Sequence, residues 1–329
     1  MKNTVRHIIL LVLLCSLAFL ALGRRPPESE YQPRESFQEI EVTPEEEIII
    51  TERPEVTAPV IIKELLQPGP TSGKPPYWVK ILNYHEIFPE SIRSSKDPKI
   101  NRFTKASDLL LIVSAENFEK QMKYLSENFK CVKMSDFGEH LEKKQPYDRN
   151  VVVITFDGAD KTIYKYAYPV LKKYELPATL FLHINSVKLD RTAMSWETIK
   201  EIESEGLMEV ESHSMTHPHL NRKNKSETDE AYIERIRWEL VESKRIIEEK
   251  LGKKVYYFAY PYGGYNSTVM ELLKESGYKA AVTVQWDKNT VESNSYSLKR
   301  RGVFGNVNLK KFAELFTKYY KDDMREFAD

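Results

Sequence analysis

Two histidines four positions apart are the residues of this chain that most clearly suggest chemistry. His213 and His217 lie in the segment SHSMTHPHL, and three of the seven histidines of the chain fall within seven residues there. If this segment turns helically after a strand, a spacing of four places both imidazoles on one face. Neutral imidazole is the commonest protein ligand for zinc and similar ions. We therefore favour a metal site over a surface loop that carries histidines by chance.

Two carboxylates three positions apart follow an apolar run in VVVITFDGAD, residues 151–160. A catalytic metal usually has three protein ligands and an open position for water, so a carboxylate is the expected partner of the histidine pair. Asp157 fits either a metal ligand or a general base. Asp160 precedes KTIYKYAYPVL and fits either a metal ligand or the N-cap of a following helix.

Two other apolar runs also end in polar or aromatic groups. His85 ends the run VKILNYH, and on that residue alone a buried, hydrogen-bonded core histidine is the simpler interpretation. Tyr260, Pro261, Tyr262 and Gly263 form either a plain turn or an aromatic face against which a sugar packs. One such group at a strand end is ordinary, whereas four runs ending this way are not easily explained by packing.

The apolar runs themselves predict strands. They begin after Trp78, are too short for buried helices and are rich in Val, Ile, Phe and Tyr. They lie at 79–85, 151–157, 178–184, 208–213, 255–261 and 280–284. Longer amphipathic stretches between the runs predict helices, which open at the N-cap residues Ser114, Ser195 and Ser267.

The longest amphipathic stretch, 232–252, ends at Gly252. Its predicted inward stripe consists of Ile233, Ile236, Leu240 and Ile247. Alternation of strand and helix implies parallel strands with helices outside, which is an α/β fold. About seven strands suggest a closed or nearly closed (β/α) barrel, in which chemistry is found at the carboxyl ends of the strands.

The N-terminal part differs in composition from the predicted barrel. Residues 1–23 have basic Lys2 and Arg6 before an apolar run at 8–22, which predicts a signal peptide or an uncleaved membrane anchor. Residues 24–76 are rich in Pro and Glu and predict a disordered linker. The folded domain is therefore expected at 77–329, exported to the periplasm or the outside of the cell.

Composition excludes several classes of function. Lys plus Arg and Asp plus Glu both number 49, so there is no basic field to attract nucleic acid. The two cysteines, Cys15 and Cys131, are too far apart in sequence for a CxxC-type metal or redox site. We expect a monomer that touches the membrane only through its N-terminal segment.

The motifs, in this order, resemble the polysaccharide deacetylases of carbohydrate esterase family 4, in the branch that acts on biofilm polysaccharide. The resemblance runs from about Val79 to Phe316. NYHEI resembles the opening strand of that branch, TFDGAD the family's TFDDG, and SHSMTHPHL its H-[ST]-x-x-H motif. FAYPYGGYN resembles the third motif of the branch, where other branches carry an arginine at the position of Ala259, and LKRRGVFGN resembles its closing segment.

The resemblance implies a deformed barrel and hydrolysis of N-acetyl groups on an amino-sugar polysaccharide, with a divalent metal held by one Asp and two His. Zinc is the expected ion, although cobalt, nickel or iron suit such ligands. Asp157 matches the general base, and His213 and His217 match two metal ligands. The family's late catalytic histidine has no match, so His85 is the candidate general acid. A backbone N–H after strand 255–260 is expected to hold the oxyanion.

The chain departs from the family at the third metal ligand, which matches Gly158. Three outcomes stay open: Asp160 replaces the ligand, Asp157 binds the ion itself, or the site binds metal poorly and the protein is a weak or inactive sugar-binding relative. We favour Asp160, because Gly158 and Ala159 give its loop freedom. An envelope scaffold without metal or glycan affinity is a further class, which the histidine cluster and the aromatic strand end disfavour.

Overall fold

A computed structural model of the chain describes residues 77–94, 110–189 and 192–317. The predicted signal segment and linker, residues 1–76, lie outside the described residues. Within the described ranges, none of the helices combines the length and the apolar character needed to cross a membrane.

The described residues form ten strands, eight of which belong to one parallel sheet. The strands are β1 (Val79–Tyr84), β2 (Glu86–Phe88), β3 (Ile112–Ser114), β4 (Lys130–Val132), β5 (Val151–Asp157), β6 (Ala178–Leu182), β7 (Met208–Ser212), β8 (Tyr257–Ala259), β9 (Ala280–Val282) and β10 (Arg300–Gly302). The large sheet has the order β10-β1-β5-β6-β7-β8-β9, and β4 pairs with the first half of β5. A bridge between Val282 and Leu298 joins β9 to the chain just before β10. The predicted α/β barrel of about seven strands is therefore confirmed, nearly closed.

Helices connect the strands as predicted. They are α1 (Glu90–Arg93), α2 (Ala115–Asn128), α3 (Met134–Glu142), α4 (Tyr168–Lys173, after a π-helical turn at Ile163–Ala167), α5 (Ile184–Leu189), α6 (Trp196–Ser204), α7 (Asp229–Leu251), α8 (Ser267–Glu275) and α9 (Leu309–Thr317). Short 3₁₀ turns lie at Pro261–Gly263 and Ser295–Ser297. The N-caps Ser114 and Ser195 are confirmed by their side chains, which accept backbone N–H groups of α2 and α6. The cap predicted at Ser267 is wrong, because the Asn266 side chain accepts the N–H of Val269 instead.

The inward stripe of α7 is right except at one position. Ile233 is 37% exposed, whereas Ile236, Leu240 and Ile247 are fully buried. The preceding residue, Tyr232, takes the inward place, because steps of four from it reach Ile236 and Leu240.

Alternation along each strand decides which side chains enter the barrel. All seven residues of β5 are buried, because one face meets the barrel interior and the other meets the helices. Val151 and Val153 belong to the inner apolar cluster, while Val152 and Ile154 belong to the outer one. Asp157, at the end of β5, therefore lies on the inner side.

Two other strands deliver functional candidates by the same rule. In β1, Val79 and Ile81 belong to the inner cluster. Asn83 and His85, the residue directly after the strand, are therefore on the inner side as well. In β7 the outer cluster contains Met208 and Val210, so the residue after the strand, His213, points inward. The carboxyl ends of β1, β5 and β7 thus present these groups at one mouth.

Helix α3 closes the opposite end of the barrel with Met134, Phe137 and Leu141, which belong to the inner cluster. Gly138 lets this helix approach the ring of Tyr257 in β8. A Cβ atom built at Gly138 would lie 2.1 Å from the Tyr257 hydroxyl oxygen. The packing of this closing helix therefore depends on the missing side chain.

We predict that Gly138→Ala lowers the free energy of unfolding by about 1–3 kcal/mol, because the added methyl group overpacks the contact with Tyr257. Urea denaturation of the variant and the wild type measures this loss. Glu139→Ala, at an exposed position of the same helix, is the matched control and is expected to change stability by no more than about 0.5 kcal/mol. Equal losses in both variants would contradict the overpacking account.

Candidate active site

A buried ion pair between Asp157 and Arg300 spans the upper barrel. Oδ1 and Oδ2 of Asp157 accept hydrogen bonds from Nη1 and Nη2 of Arg300, each at 2.7 Å. Arg300 also donates from Nη1 to the Thr155 hydroxyl at 3.2 Å and from Nε to the Thr283 carbonyl at 2.9 Å. The guanidinium is fully buried, so these four hydrogen bonds compensate its loss of water.

The charge state of Asp157 follows from this pairing. Burial alone would raise the pKa of Asp157, but the Arg300 guanidinium, helped by His213 and His85, outweighs burial and holds the pKa well below its usual range. Asn83 adds a hydrogen bond from Nδ2 to Oδ2 at 3.1 Å. Asp157 is therefore an oriented, ionised carboxylate at neutral pH.

Sequence analysis missed Arg300, although a signal was present. The third motif carries Ala259 where other branches carry an arginine, and the closing segment LKRRG supplies basic residues. Only the parallel pairing of β10 with β1, in which Arg300 lies opposite Ile81, shows that one of these residues enters the barrel.

His213 and His217 face each other with their Nε2 atoms 3.1 Å apart. Nδ1 of His213 lies 2.8 Å from the carbonyl oxygen of Ala259, so it carries the proton and leaves the Nε2 lone pair free. Burial lowers the pKa of His213 to about 3 and lowers the pKa of His217, which keeps both rings neutral. With zinc–nitrogen bonds of about 2.0–2.1 Å, two ligands of one tetrahedral ion lie about 3.3 Å apart. The pair therefore fits two positions of one divalent ion.

The loop that carries His217 is not the helical turn that the spacing suggested. Ser214 and His217 have left-handed φ angles of 72° and 58°, conformations that cost energy for residues other than glycine. The Ser214 hydroxyl accepts the N–H of His217 at 3.0 Å. The two rings meet because the loop folds back sharply, so the predicted pairing is present with a different backbone.

Glu239 in α7 holds this loop from the outer side. Its Oε2 accepts the N–H groups of Met215 and Thr216, both at 2.9 Å, and its Oε1 accepts the Thr216 hydroxyl. The side chain is only 2% exposed, and burial raises its pKa against the effect of these hydrogen bonds. Sequence analysis missed Glu239. The available signal was its position directly before Leu240, a residue of the inward-facing stripe of the helix.

Asp160 has a local hydrogen bond of the kind that caps a helix. Its Oδ1 accepts the N–H of Thr162 at 2.9 Å, and its backbone forms a bridge with Ala193. In residues 77–94, 110–189 and 192–317, no three His, Cys, Asp or Glu side chains are gathered so that they could hold one ion. The contact expected of a capping residue is therefore present at Asp160, and its role as a metal ligand stays a prediction.

Gly158, at the position that matches the family's third ligand, has a backbone conformation that favours glycine. Its φ of 110° lies in a region that side-chain-bearing residues avoid, and its N–H donates to the Phe181 carbonyl at 3.0 Å. A Cβ atom there would meet nothing within 4 Å, so space is not the obstacle. A residue other than glycine would be strained by about 1–3 kcal/mol.

His85 is half-buried and belongs to the same electrostatic group. Burial lowers the pKa of His85, the charge of Asp157 opposes this effect, and Arg300 adds to it. His85 also contributes to the lowered pKa of His217. His85 is therefore a neutral imidazole on the inner side of the barrel, within electrostatic reach of Asp157 and His217.

The aromatic strand end divides into buried and exposed parts. Tyr260 and Pro261 are buried, and the Tyr260 hydroxyl donates to the Tyr296 carbonyl at 2.9 Å, so these two residues belong to the core. Tyr262 is 58% exposed, and its ring lies 4.6 Å from that of His217. Gly263, with φ 68°, packs against Val284. Of the predicted sugar-binding rings, only Tyr262 offers a face to solvent.

A further histidine, His183, was not singled out in the sequence analysis. It follows β6 directly and is half-buried. The centroid of its ring is 5.4 Å from that of His217. The mouth therefore contains four histidines, of which sequence analysis named three.

The chain is similar in sequence to known polysaccharide deacetylases. The family model described as polysaccharide deacetylase matches residues 144–281. A poly-β-1,6-N-acetyl-D-glucosamine N-deacetylase of Staphylococcus aureus is 31% identical over 225 residues, which cover 67% of this chain and 76% of that protein. The corresponding protein of Staphylococcus epidermidis is 29% identical over 228 residues, with the same coverage of 67% and 76%.

The chain belongs to the polysaccharide deacetylase family. The resemblance to the biofilm-polysaccharide branch of carbohydrate esterase family 4 is confirmed by these relatives. As a member of this family, the protein is a polysaccharide deacetylase, a hydrolase that acts on linear amides.

Solved structures agree on the fold of this deacetylase. The Streptococcus pyogenes deacetylase PplD, solved with acetate, has a TM-score of 0.62 and 22% identity and covers 74% of this chain and 99% of its own. IcaB from Ammonifex degensii has a TM-score of 0.61 and 23% identity, with coverage of 74% and 98%. BC0361, a polysaccharide deacetylase from Bacillus cereus, has a TM-score of 0.58 and 25% identity, with coverage of 73% and 69%.

We predict that Arg300→Lys moves the acid limb of the deacetylation profile to higher pH. Lysine keeps one positive charge but loses the two-pronged contact, so the pKa of Asp157 rises toward its usual value. Activity that needs ionised Asp157 is present above that pKa and is lost as the pH falls through it. The dependence of kcat/KM on pH measures the shift. Arg301→Lys is the control, since Arg301 lies over the Trp286 ring. An unchanged pH profile of kcat/KM in Arg300→Lys would contradict the pairing of Arg300 with Asp157.

We predict that Glu239→Ala loosens the loop that carries His217, because the N–H groups of Met215 and Thr216 lose their acceptor. Amide hydrogen exchange at both N–H groups measures the loosening, and faster exchange is expected in the variant. Glu249→Ala, at an exposed position of α7, is the control. Unchanged exchange in Glu239→Ala would refute this role.

Proposed function

We propose that this deacetylase removes N-acetyl groups from amino sugars of a cell-envelope or extracellular polysaccharide with the help of a divalent ion, zinc being the expected one. The observation that carries the proposal is the meeting of ionised Asp157 with the neutral pair His213 and His217 at one mouth. His213 Nε2 and Asp157 Oδ2 are 3.9 Å apart, which leaves both groups within reach of one acetamide group.

The names of the relatives suggest the polymer. The staphylococcal proteins are named for deacetylation of poly-β-1,6-N-acetyl-D-glucosamine. We therefore propose a β-1,6-linked N-acetylglucosamine polymer as the substrate to test first, with chitin-like oligomers and peptidoglycan as the alternatives. Tyr262, the exposed ring beside His217, is the proposed surface for sugar packing.

His213 and His217 are the residues proposed to hold the ion. A divalent ion held there would supply polarisation of the acetamide carbonyl and a more acidic water molecule. Asp157 accepts the proton of the attacking water. Arg300 and Asn83 hold Asp157 ionised and fix the direction of its oxygens, so the water is taken from a defined side.

His85 is proposed to deliver a proton to the leaving amine. Burial keeps its imidazole neutral, so it must gain a proton before it can act as a general acid. Its neighbour Asp157 gains one from water in the first step, which makes a transfer between the two groups the simplest route. The bond from water oxygen to the acetyl carbon forms, the carbon–nitrogen bond breaks, and acetate and a free amine leave.

The third motif is proposed to hold the oxyanion through a backbone N–H. The N–H groups of Tyr260, Gly263 and Gly264 donate to carbonyl groups of the protein. Pro261 has no N–H, so the N–H of Tyr262 is the donor that we assign to the oxyanion.

Gly158 favours a second candidate, a weakly active or inactive sugar-binding relative. Its missing carboxylate removes the ligand that the family uses, and Asp160 has a capping contact. This candidate predicts glycan affinity without release of acetate. We further propose that the protein is exported through residues 1–23 and acts as a monomer.

Release of free amines from β-1,6-linked N-acetylglucosamine oligomers, with and without added zinc, tests the function. We predict that Asp157→Asn lowers the rate by about 10²–10⁴-fold, because the amide cannot accept the proton. Asp148→Asn is the matched control, since Asp148 is exposed and pairs with its neighbour Arg149. Undiminished activity of Asp157→Asn would rule out the base role. Oligomer binding by wild type without amine release would favour the inactive relative.

A further inference from the structure

The side-chain amide of Asn83 is paired at its nitrogen and unpaired at its oxygen. Nδ2 donates to Oδ2 of Asp157 at 3.1 Å. Oδ1 is buried and has no hydrogen-bond partner within the part of the chain that the structure describes. The residue is only 2% exposed. Buried carbonyl oxygens in folded proteins nearly always accept a hydrogen bond, because leaving one without a donor costs free energy. Oδ1 of Asn83 therefore offers an acceptor to a bound molecule.

The carboxylate of Asp157 decides which end of this amide faces it. Both oxygens of Asp157 accept hydrogen bonds from Arg300, so the carboxylate has no proton to donate. With the amide turned over, Oδ1 would face a carboxylate oxygen, and two acceptors would repel each other. The amide nitrogen of Asn83 therefore faces Asp157, and Oδ1 takes the other side.

The backbone of Asn83 is held from both sides, which fixes the position of Oδ1. Asn83 pairs with Thr155 in β5 and with Gly302 in β10. Its carbonyl accepts the N–H of Val303 at 2.9 Å. The hydroxyl of Thr155, directly across the strand pair, donates to the Leu82 carbonyl at 2.7 Å and does not supply the missing donor. The acceptor is thus oriented before a substrate binds.

Asn83 lies beside both groups that are proposed to move protons. His85 is two residues further along the chain and also on the inner side, and two residues of extended chain span about 6.6 Å. Asp157, the proposed base, is hydrogen-bonded to Asn83 directly. Oδ1 therefore belongs to the surface that meets the scissile amide.

The direction of an acetamide group agrees with this placement. In a secondary amide the N–H and the C=O point in opposite directions, so their partners must lie on opposite sides of the site. The oxyanion is assigned to the backbone after β8, at Tyr262. In the sheet order β10-β1-β5-β6-β7-β8-β9, strands β1 and β8 are four steps apart, on opposite sides of the nearly closed barrel. Asn83 in β1 is therefore on the side that the N–H faces.

We propose that Oδ1 of Asn83 accepts the N–H of the scissile acetamide and thereby selects N-acetyl over O-acetyl groups. The proposal rests on the proposed function, because it concerns the same acetamide. In an acetate ester an oxygen replaces the nitrogen, and this oxygen has lone pairs but no hydrogen. It would face Oδ1 as a second acceptor, so the ester leaves Oδ1 buried and unpaired.

The contact is compatible with every bond change of the reaction. When the water oxygen bonds to the acetyl carbon, the nitrogen lone pair leaves conjugation and accepts a proton from His85. The original hydrogen stays on nitrogen and on Oδ1 of Asn83. The carbon–nitrogen bond then breaks, its electron pair stays with nitrogen, and acetate and a free amine leave. Asn83 thus holds the nitrogen with its lone pair accessible to the proton donor.

A matched pair of oligomers tests the proposal on the full chain. One is a β-1,6-linked N-acetylglucosamine oligomer, and in the other an acetoxy group replaces each acetamido group. Acetate release gives kcat/KM for each, and the amide-to-ester ratio is expected to fall about 10-fold in Asn83→Leu. Because both substrates need Asp157, loss of the hydrogen bond from Nδ2 cancels in the ratio, as does a lower fraction of folded protein. Asn83→Ala is expected to show the same fall and guards against a misfit of the leucine side chain.

Two variants separate the acceptor from the support of Asp157. Asn83→Asp keeps an oxygen at the place of Oδ1, so it is expected to lower both rates and keep the wild-type ratio. Arg300→Lys, which disturbs Asp157 from another strand, is expected to do the same.

The outcomes distinguish this inference from the proposed function. An unchanged ratio in Asn83→Leu and Asn83→Ala, or an equal fall in Asn83→Asp, would overturn the inference, while amide hydrolysis by the wild type upholds the function. Wild-type protein that releases no acetate from the amide oligomer would overturn both.

Discussion

The buried pair of Arg300 and Asp157 is the interaction on which the upper barrel depends. A guanidinium without water inside a barrel is tolerated only when a carboxylate and carbonyl groups surround it. Arg300 meets this requirement by contacting β5 through Asp157 and Thr155 and the end of β9 through Thr283. One side chain thereby links the last strand to the rest of the sheet and fixes the charge of the proposed base. The same side chain thus contributes both to the closure of the barrel and to the charge state of the site.

The electrostatics of the mouth divide into two zones. On one side a full negative and a full positive charge cancel each other in Asp157 and Arg300. On the other side His213 and His217 are kept uncharged by burial, with their Nε2 atoms 3.1 Å apart. Neutral imidazoles are a ligand type that divalent ions prefer, which is the physical basis of the proposed metal site. The outer support of the loop is a buried carboxylate, Glu239, whose oxygens accept N–H groups of that loop.

The parts predicted from the sequence are those with a local signal. Six apolar runs became β1 and β5 to β9, because β-branched and aromatic residues alternate between two buried faces. Strands β2, β3, β4 and β10 have three residues each and were missed, whereas β8 and β9, which are equally short, lie within the predicted apolar runs 255–261 and 280–284. The pair His213 and His217 was visible from its spacing. Arg300 and Glu239 were not visible, because their roles depend on which distant segment folds against them. His183 was overlooked as a single polar residue at the end of an apolar run.

The contact of His213 with Ala259 does not involve the side chain at position 259. The partner of Nδ1 is a main-chain carbonyl, and every amino acid at position 259 would provide it. The tautomer of His213 is therefore independent of the side chain at that position. An arginine at position 259, as in other branches, and an alanine there, as here, are equally compatible with a correctly protonated imidazole. In this chain the positive charge beside Asp157 comes from Arg300 of β10, and the hydrogen bond of the His213 ring does not depend on it.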